Sequence, residues 1–206
     1  MQRPRADNYG LWELDPKKTG LLVIDMQGLF LDPESRAYLP LSKVIVNPVL
    51  RLVEIFRDAD QEPFFTRHAL ECPEKEGGLM AQWWRSVCLE GTPESTVASC
   101  FRSEPARTFR KTRYNAFTNP ALEASLHKAG VDTLVLCGVA THLCVESTAR
   151  TAFDIGFRVI VVEDATISRQ IELHEGSLRA MRDGFAAVAP LKIVEERLAK
   201  SLLNTV

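Results

Sequence analysis

The chain alternates short continuous apolar runs with longer segments whose apolar positions recur every three or four residues. Runs of the first kind read as strands covered on both faces and segments of the second as amphipathic helices. Their alternation is that of βαβ units in a parallel sheet. TGLLVIDMQ (19–27), EPFFTRH (62–68), ARTFRK (106–111), DTLVLCG (132–138), FRVIVVED (157–164) and FAAVAP (185–190) supply six strands. Between the first two, Val49, Leu52, Val53 and Phe56 share a helical face, with Asn47 and Pro48 suited to its N-cap and first position. Asn119, Pro120 and Gly130 bracket a second helix, which carries Leu122 and Leu126 on one face. Further helices are expected at 141–156, at 172–182 and from about residue 191.

Residues 69–103 break the pattern: they are rich in Pro, Gly, Cys and Trp, with weak periodicity and one short helix near 80–84. Irregular segments of that length inside a domain are usually functional when ordered, and Trp83 and Trp84 favour order. The expected architecture is an α/β, three-layer doubly wound fold: a six-stranded parallel sheet with helices on both faces. It forms a single domain over 1–206, with its core at about 18–198.

Composition narrows the function. The chain has 206 residues, 46% apolar, enough for one well-buried core. Its 25 basic and 27 acidic residues leave a net charge of −2, which gives no electrostatic reason to expect nucleic acid or an anionic membrane surface. A small molecule or a second copy of the chain is the expected partner. Cys72, Cys88, Cys100, Cys137 and Cys144 are odd in number and lack CxxC spacing, which fits a reducing, cytoplasmic compartment. The N-terminal residues have early positive charge but no apolar core behind it, so neither an export signal nor a membrane span is expected.

In an open parallel sheet, ligands sit beyond the carboxyl ends of the strands. Asp25 ends the first strand, Lys111 ends the third, and Cys144 lies in the first turn after the fourth. A cysteine attacks as thiolate, a form favoured by a helix N-terminus. A carboxylate can take the thiol proton and pass it to a leaving amine or alcohol. A lysine between them keeps the acid ionised and steadies the thiolate. Each residue also has a plainer reading: Asp25 as a turn residue, Lys111 as a solvated strand end, Cys144 as a small buried hydrophobe. Cys137, inside an apolar run, is expected to be inert.

LLVIDMQ with Asp25, FRKTRYNAF with Lys111, and CGVATHLCVESTARTAFDIGFRVIVVEDA with Cys144 together resemble the isochorismatase-like cysteine hydrolase superfamily. That group includes nicotinamidases, N-carbamoylsarcosine amidase, ureidoacrylate and biuret amidohydrolases, and isochorismatases. The resemblance spans about 18–198. It implies a catalytic triad of Asp25, Lys111 and Cys144. It also implies a non-proline cis peptide at Val139–Ala140, an oxyanion held by the N–H groups of Ala140 and Cys144, and a homo-oligomer.

Two departures bear on the substrate. Nicotinamidases hold a metal with an Asp-x-His pair and a further histidine, whereas here the second strand ends Thr66, Arg67, His68 and the next histidine is His127. No metal and no other cofactor is expected, and His68 is read as structural or as a substrate contact. Isochorismatases that cleave a vinyl ether tend to have glycine at the nucleophile position, whereas Cys144 is present here. The expected activity is cleavage of a C–N bond in a small linear amide, ureido or carbamoyl compound through a thioester. The alternatives are a vinyl-ether hydrolase with Asp25 as general acid and a non-catalytic relative. Gln27, Phe30, Arg67, Trp83, Trp84, Tyr114, Phe117 and His142 are candidate pocket walls, and an inward-facing Arg67 would suit a substrate carboxylate.

Overall fold

The structure is a computed structural model that describes residues 12, 14–101, 104 and 107–203, the last two by backbone alone. The readings of the N-terminal residues 1–11 and of Ala106 lie outside the described residues. In chain order the elements are β1 (Thr19–Ile24), α1 (Gly28–Leu31), α2 (Val46–Asp58), β2 (Phe64–His68), α3 (Pro73–Glu76) and α4 (Gly78–Trp84). There follow β3 (Thr108–Lys111), α5 (Pro120–Lys128), β4 (Thr133–Val139), α6 (Glu146–Asp154), β5 (Arg158–Ile167), α7 (Ile171–Gly184), β6 (Ala187–Ala189) and α8 (Leu191–Leu203). All strand pairs are parallel, in the order β3-β2-β1-β4-β5-β6. The order reverses between β1 and β4, and a crevice opens at such a switch point.

The period of two along each strand sorts the core into two layers. Leu21 and Val23 of β1, Val135 and Cys137 of β4, and Ile160 and Val162 of β5 pack on one face with Val49, Leu52 and Phe56 of α2 and Val194 and Leu198 of α8. Leu22, Ile24, Leu134, Leu136, Val159 and Val161 face the other way, onto Leu122 and Leu126 of α5, Ala149 and Ala152 of α6, and Met181 of α7. Burying each aliphatic side chain contributes about 1.5–3 kcal/mol, which is why the strand segments carry almost no polar residue.

The element boundaries differ from the sequence reading for local reasons. β1 stops at Ile24 because Asp25 adopts a positive φ of 53° and turns the chain out of the sheet. α2 begins at Val46, continuing from a 3-10 turn at Pro40–Ile45, so Asn47 and Pro48 lie within its first turn and Ile45 is the cap. Asn119 does cap α5, accepting at Oδ1 from the N–H of Ala121 at 3.0 Å. Gly138 has φ 107°, and a Cβ there would stand 2.1 Å from the carbonyl oxygen of Ile24. Only glycine lets β4 pass that close to the end of β1. Among the described residues, no helix is long and apolar enough to cross a membrane.

Candidate active site

Three strand ends bring the reactive groups together. Asp25 follows β1, Lys111 closes β3 in register with His68 of β2, and β4 leads through Ala140 into a single π-helical turn, Thr141–Val145, that carries Cys144. The peptide between Val139 and Ala140 is cis. Lys111 Nζ lies 2.7 Å from Asp25 Oδ2, 3.0 Å from the carbonyl oxygen of Arg113 and 3.2 Å from Cys144 Sγ. The ammonium thus has two hydrogen-bond acceptors and a carboxylate counterion, which together allow a lysine to be buried in its charged form. The other carboxylate oxygen, Asp25 Oδ1, accepts from Thr66 Oγ1 at 2.7 Å.

The electrostatics follow from this arrangement. Burial pulls the Lys111 pKa down, but the charges of Asp25 and Cys144 and their hydrogen bonds outweigh it, so the net direction is upward. Burial is also the largest influence on the Cys144 thiol. Lys111 opposes it and Asp25 adds to it, leaving the thiol pushed up to about 12. At neutral pH the resting site therefore holds a protonated thiol beside a charged ammonium. Cys137, with burial alone acting on it, is pushed higher still and has no charged neighbour to reverse the shift.

Cys144 opens onto a cavity of about 510 Å³, within the range of small-molecule sites. Phe30, Trp84, Tyr114 and His142 stand on its wall, as do Ala140 and His68. Trp84 Nε1 donates to Tyr114 Oη at 2.7 Å, and His142 Nδ1 lies 2.8 Å from Ser168 Oγ. Burial lowers the His142 pKa and takes that of His68 down to about 4, so both rings are neutral at pH 7.

Four expected wall residues are elsewhere. Arg67 lies between Thr66 and His68 on β2, so strand alternation points it away from the site they face. It pairs with Glu90 at 2.6 Å. Gln27 is fully buried in a structural role, exchanging hydrogen bonds with the backbone of His68 at 3.0 and 2.6 Å and donating to the Glu94 carbonyl. Phe117 stacks on Phe157 with ring centroids 6.0 Å apart. Trp83 is 79% exposed on the outer face of α4.

Arg36, Tyr38, Arg85 and Arg169 also line the cavity, and sequence reasoning did not select them. Arg169 had a readable signal, since it follows a strand on the same side of the sheet as Asp25 and Cys144. The residues present do not fit the metal of nicotinamidases. Arg67 replaces the acid and is paired, and among the described residues no three His, Cys, Asp or Glu side chains converge.

Comparison with known proteins places this geometry in context. The isochorismatase domain model matches residues 19–192. The chain is 37% identical over 202 residues to nicotinamidase 3 of Arabidopsis thaliana, covering 95% of this chain and 96% of that one. It is 28% identical over 178 residues to a ureidoacrylate amidohydrolase of Caulobacter segnis, covering 74% of each. The crystal structure of a cysteine hydrolase from Pseudomonas syringae pv. phaseolicola superposes with a TM-score of 0.87 at 24% identity, covering 93% of this chain and 97% of the other.

Proposed function

The chain belongs to the isochorismatase family, and on that premise we propose that it hydrolyses the C–N bond of a small amide, ureido or carbamoyl compound through a thioester on Cys144. The observation that carries this reading is the buried contact of Lys111 Nζ with both Cys144 Sγ and Asp25 Oδ2 at the edge of a cavity that Cys144 lines. Because the resting thiol is protonated, deprotonation belongs to the attack itself. Asp25 takes the thiol proton as sulfur bonds to the substrate carbonyl. The N–H groups of Ala140 and Cys144 receive the oxyanion, a donor of this kind being typically worth about 2.7–4 kcal/mol. Lys111 holds its charge beside sulfur and carboxylate throughout, so neither negative form is left unpaired.

Collapse of the tetrahedral adduct breaks the C–N bond, and Asp25 returns the proton to the departing nitrogen. Water then attacks the thioester, giving its proton to Asp25, and the acid product leaves as the thiol is restored. The amidohydrolase activity named for the ureidoacrylate relative supports this reaction class. The test is ammonia release from a panel of amides and ureido acids by the protein and by its Cys144→Ala variant. Loss of about 10⁴-fold or more is expected. A variant that keeps full amidase activity overturns the reading, and hydrolysis of isochorismate by Cys144→Ser would favour vinyl-ether chemistry instead.

A further inference from the structure

The wall helix α4 is not held by packing. It gives Met80, Ala81 and Trp84 to the cavity, yet none of its seven residues is buried, and Leu79 and Trp83 are 80% and 79% exposed. A helix this short is not stable alone and depends on what ties it to the rest of the fold. Side-chain bonds at its two ends run to one segment, 111–114. At the C-terminal end, Trp84 Nε1 donates to Tyr114 Oη at 2.7 Å. At the junction of α3 and α4, Arg113 Nη1 donates to the carbonyl oxygen of Glu76 at 2.5 Å. A Cβ on Gly78, where φ is 53°, would stand 3.1 Å from Arg113 Nη2, so the guanidinium lies against the first residue of α4.

The same segment carries the reactive ammonium. Lys111 Nζ donates at 3.0 Å to the carbonyl oxygen of Arg113, the neutral partner that aims it between Asp25 and Cys144. The Arg113 guanidinium braces the backbone leading to that carbonyl, because Nη1 also donates to the carbonyl oxygen of Thr112 at 2.7 Å. The two hydrogens of one nitrogen thus fix a carbonyl beside the lysine and a carbonyl at the start of the wall helix. Bonds from a charged, planar guanidinium are stronger than neutral ones and hold their acceptors in a set relation. Arg110 offers a contrast. It ties the same junction, with Nη1 2.9 Å from Glu76 Oε1, but its other side-chain partners are Glu71 and the carbonyl oxygen of Ala69, outside 111–114.

We infer that Arg113 is a positioning residue for the reaction: its carbonyl aims Lys111 while its guanidinium seats the start of α4, so one residue sets the ammonium and the substrate wall together. Arg113 does not line the cavity and acts only through these partners. Lys111 lowers the Cys144 pKa against burial, and an ammonium that is no longer aimed lowers it less. The kinetic part of the inference rests on the amide-hydrolysis reading.

The experiment compares Arg113→Met with Arg110→Met, which loosens the same junction and leaves the lysine's segment alone. For the fastest substrate of the amide panel, Arg110→Met should raise KM about threefold or more with kcat within about twofold. Arg113→Met should raise KM similarly and also lower kcat about tenfold, because a misplaced reacting group is costly. Iodoacetamide labelling of Cys144 at neutral pH, read by mass spectrometry, should slow about three- to tenfold in Arg113→Met alone. Arg113→Lys keeps the charge and a donor to one carbonyl and should recover part of both losses. If Arg113→Met does not fold, Arg113→Lys carries the comparison, with kcat and labelling rate below those of Arg110→Met. Wild-type kcat and labelling in the Arg113 variants, or equal losses of both in Arg110→Met, overturn the inference while leaving amide hydrolysis standing. If the wild-type protein hydrolyses no amide, the reaction reading falls and the labelling rates alone decide the role of Arg113.

Discussion

Lys111 Nζ sits 3.2 Å from Cys144 Sγ while holding Asp25 Oδ2 at 2.7 Å, so a wholly buried ammonium joins the acid to the thiol. The two partners act on the thiol with opposite sign: Lys111 lowers its pKa and Asp25 raises it, on top of the burial that dominates. Asp25→Asn should therefore move the Cys144 titration down from about 12, and Lys111→Met should move it up. Amide turnover should fall about 100-fold or more in both, since one loses the base and the other the charge balance. The check is the pH profile of iodoacetamide labelling at the Cys144 peptide, read by mass spectrometry. An Asp25→Asn thiol that is less reactive than wild type at neutral pH would contradict this assignment.

The same pair sets a stability test. Lys111→Met leaves the Asp25 carboxylate buried without its cation, a change that costs about 3–5 kcal/mol. The double variant Asp25→Asn with Lys111→Met removes both charges and should recover a large part of that loss. Urea unfolding of the two single variants and the double variant closes the cycle. Additive losses would mean that the pair is not coupled as its geometry requires.

Most of the fold is legible in the sequence because buried parallel strands must be apolar on both faces, as Leu21 to Ile24 and Leu134 to Leu136 are. Strand ends are less legible. Nothing in the residue types shows that Asp25 takes a positive φ, or that β5 continues past Asp164 to Ile167. Asp25, Lys111 and Cys144 stand out because each is a polar or reactive group at the end of an apolar run. Arg67 misleads because its charge draws attention, although alternation with Thr66 and His68 already assigns it to the opposite face. Arg85 sits in a segment without periodicity, and its place depends on the fold of α4 rather than on any repeat. Gln27 is polar because buried backbone at His68 and Glu94 needs partners, a demand visible only once those loops meet.

His68 links the site to pH. Burial is the main cause of its lowered pKa, Lys111 adds to it, and the ring titrates at about 4 against 6.5 in the unfolded chain. Between these values the unfolded chain binds a proton that the folded chain refuses. Stability from this group is thus complete above about pH 6.5 and declines as pH falls toward 4, by at most about 3 kcal/mol. Urea unfolding at several pH values between 4.5 and 7 should show this slope, and His68→Gln should flatten it. Parallel slopes for the two proteins would remove His68 as the source.

The turn that presents Cys144 is held from behind by α7. His174 Nδ1 lies 2.8 Å from Thr141 Oγ1, which lies 2.9 Å from Thr166 Oγ1. Ser177 Oγ lies 2.6 Å from Glu146 Oε2 and 3.2 Å from the carbonyl oxygen of Thr141. None of Thr141, Thr166, His174 and Ser177 lines the cavity, so these residues act on the reaction only by fixing the turn. Ser177→Ala removes the donor to Glu146 and should cost about 1–2 kcal/mol of stability. At temperatures where the variant is fully folded, kcat should drop about tenfold with KM within about twofold, because a displaced sulfur harms attack more than binding. Ser177→Thr keeps the hydroxyl and should restore much of kcat. A Ser177→Ala variant that loses stability but keeps wild-type kcat would reduce the network to structural support.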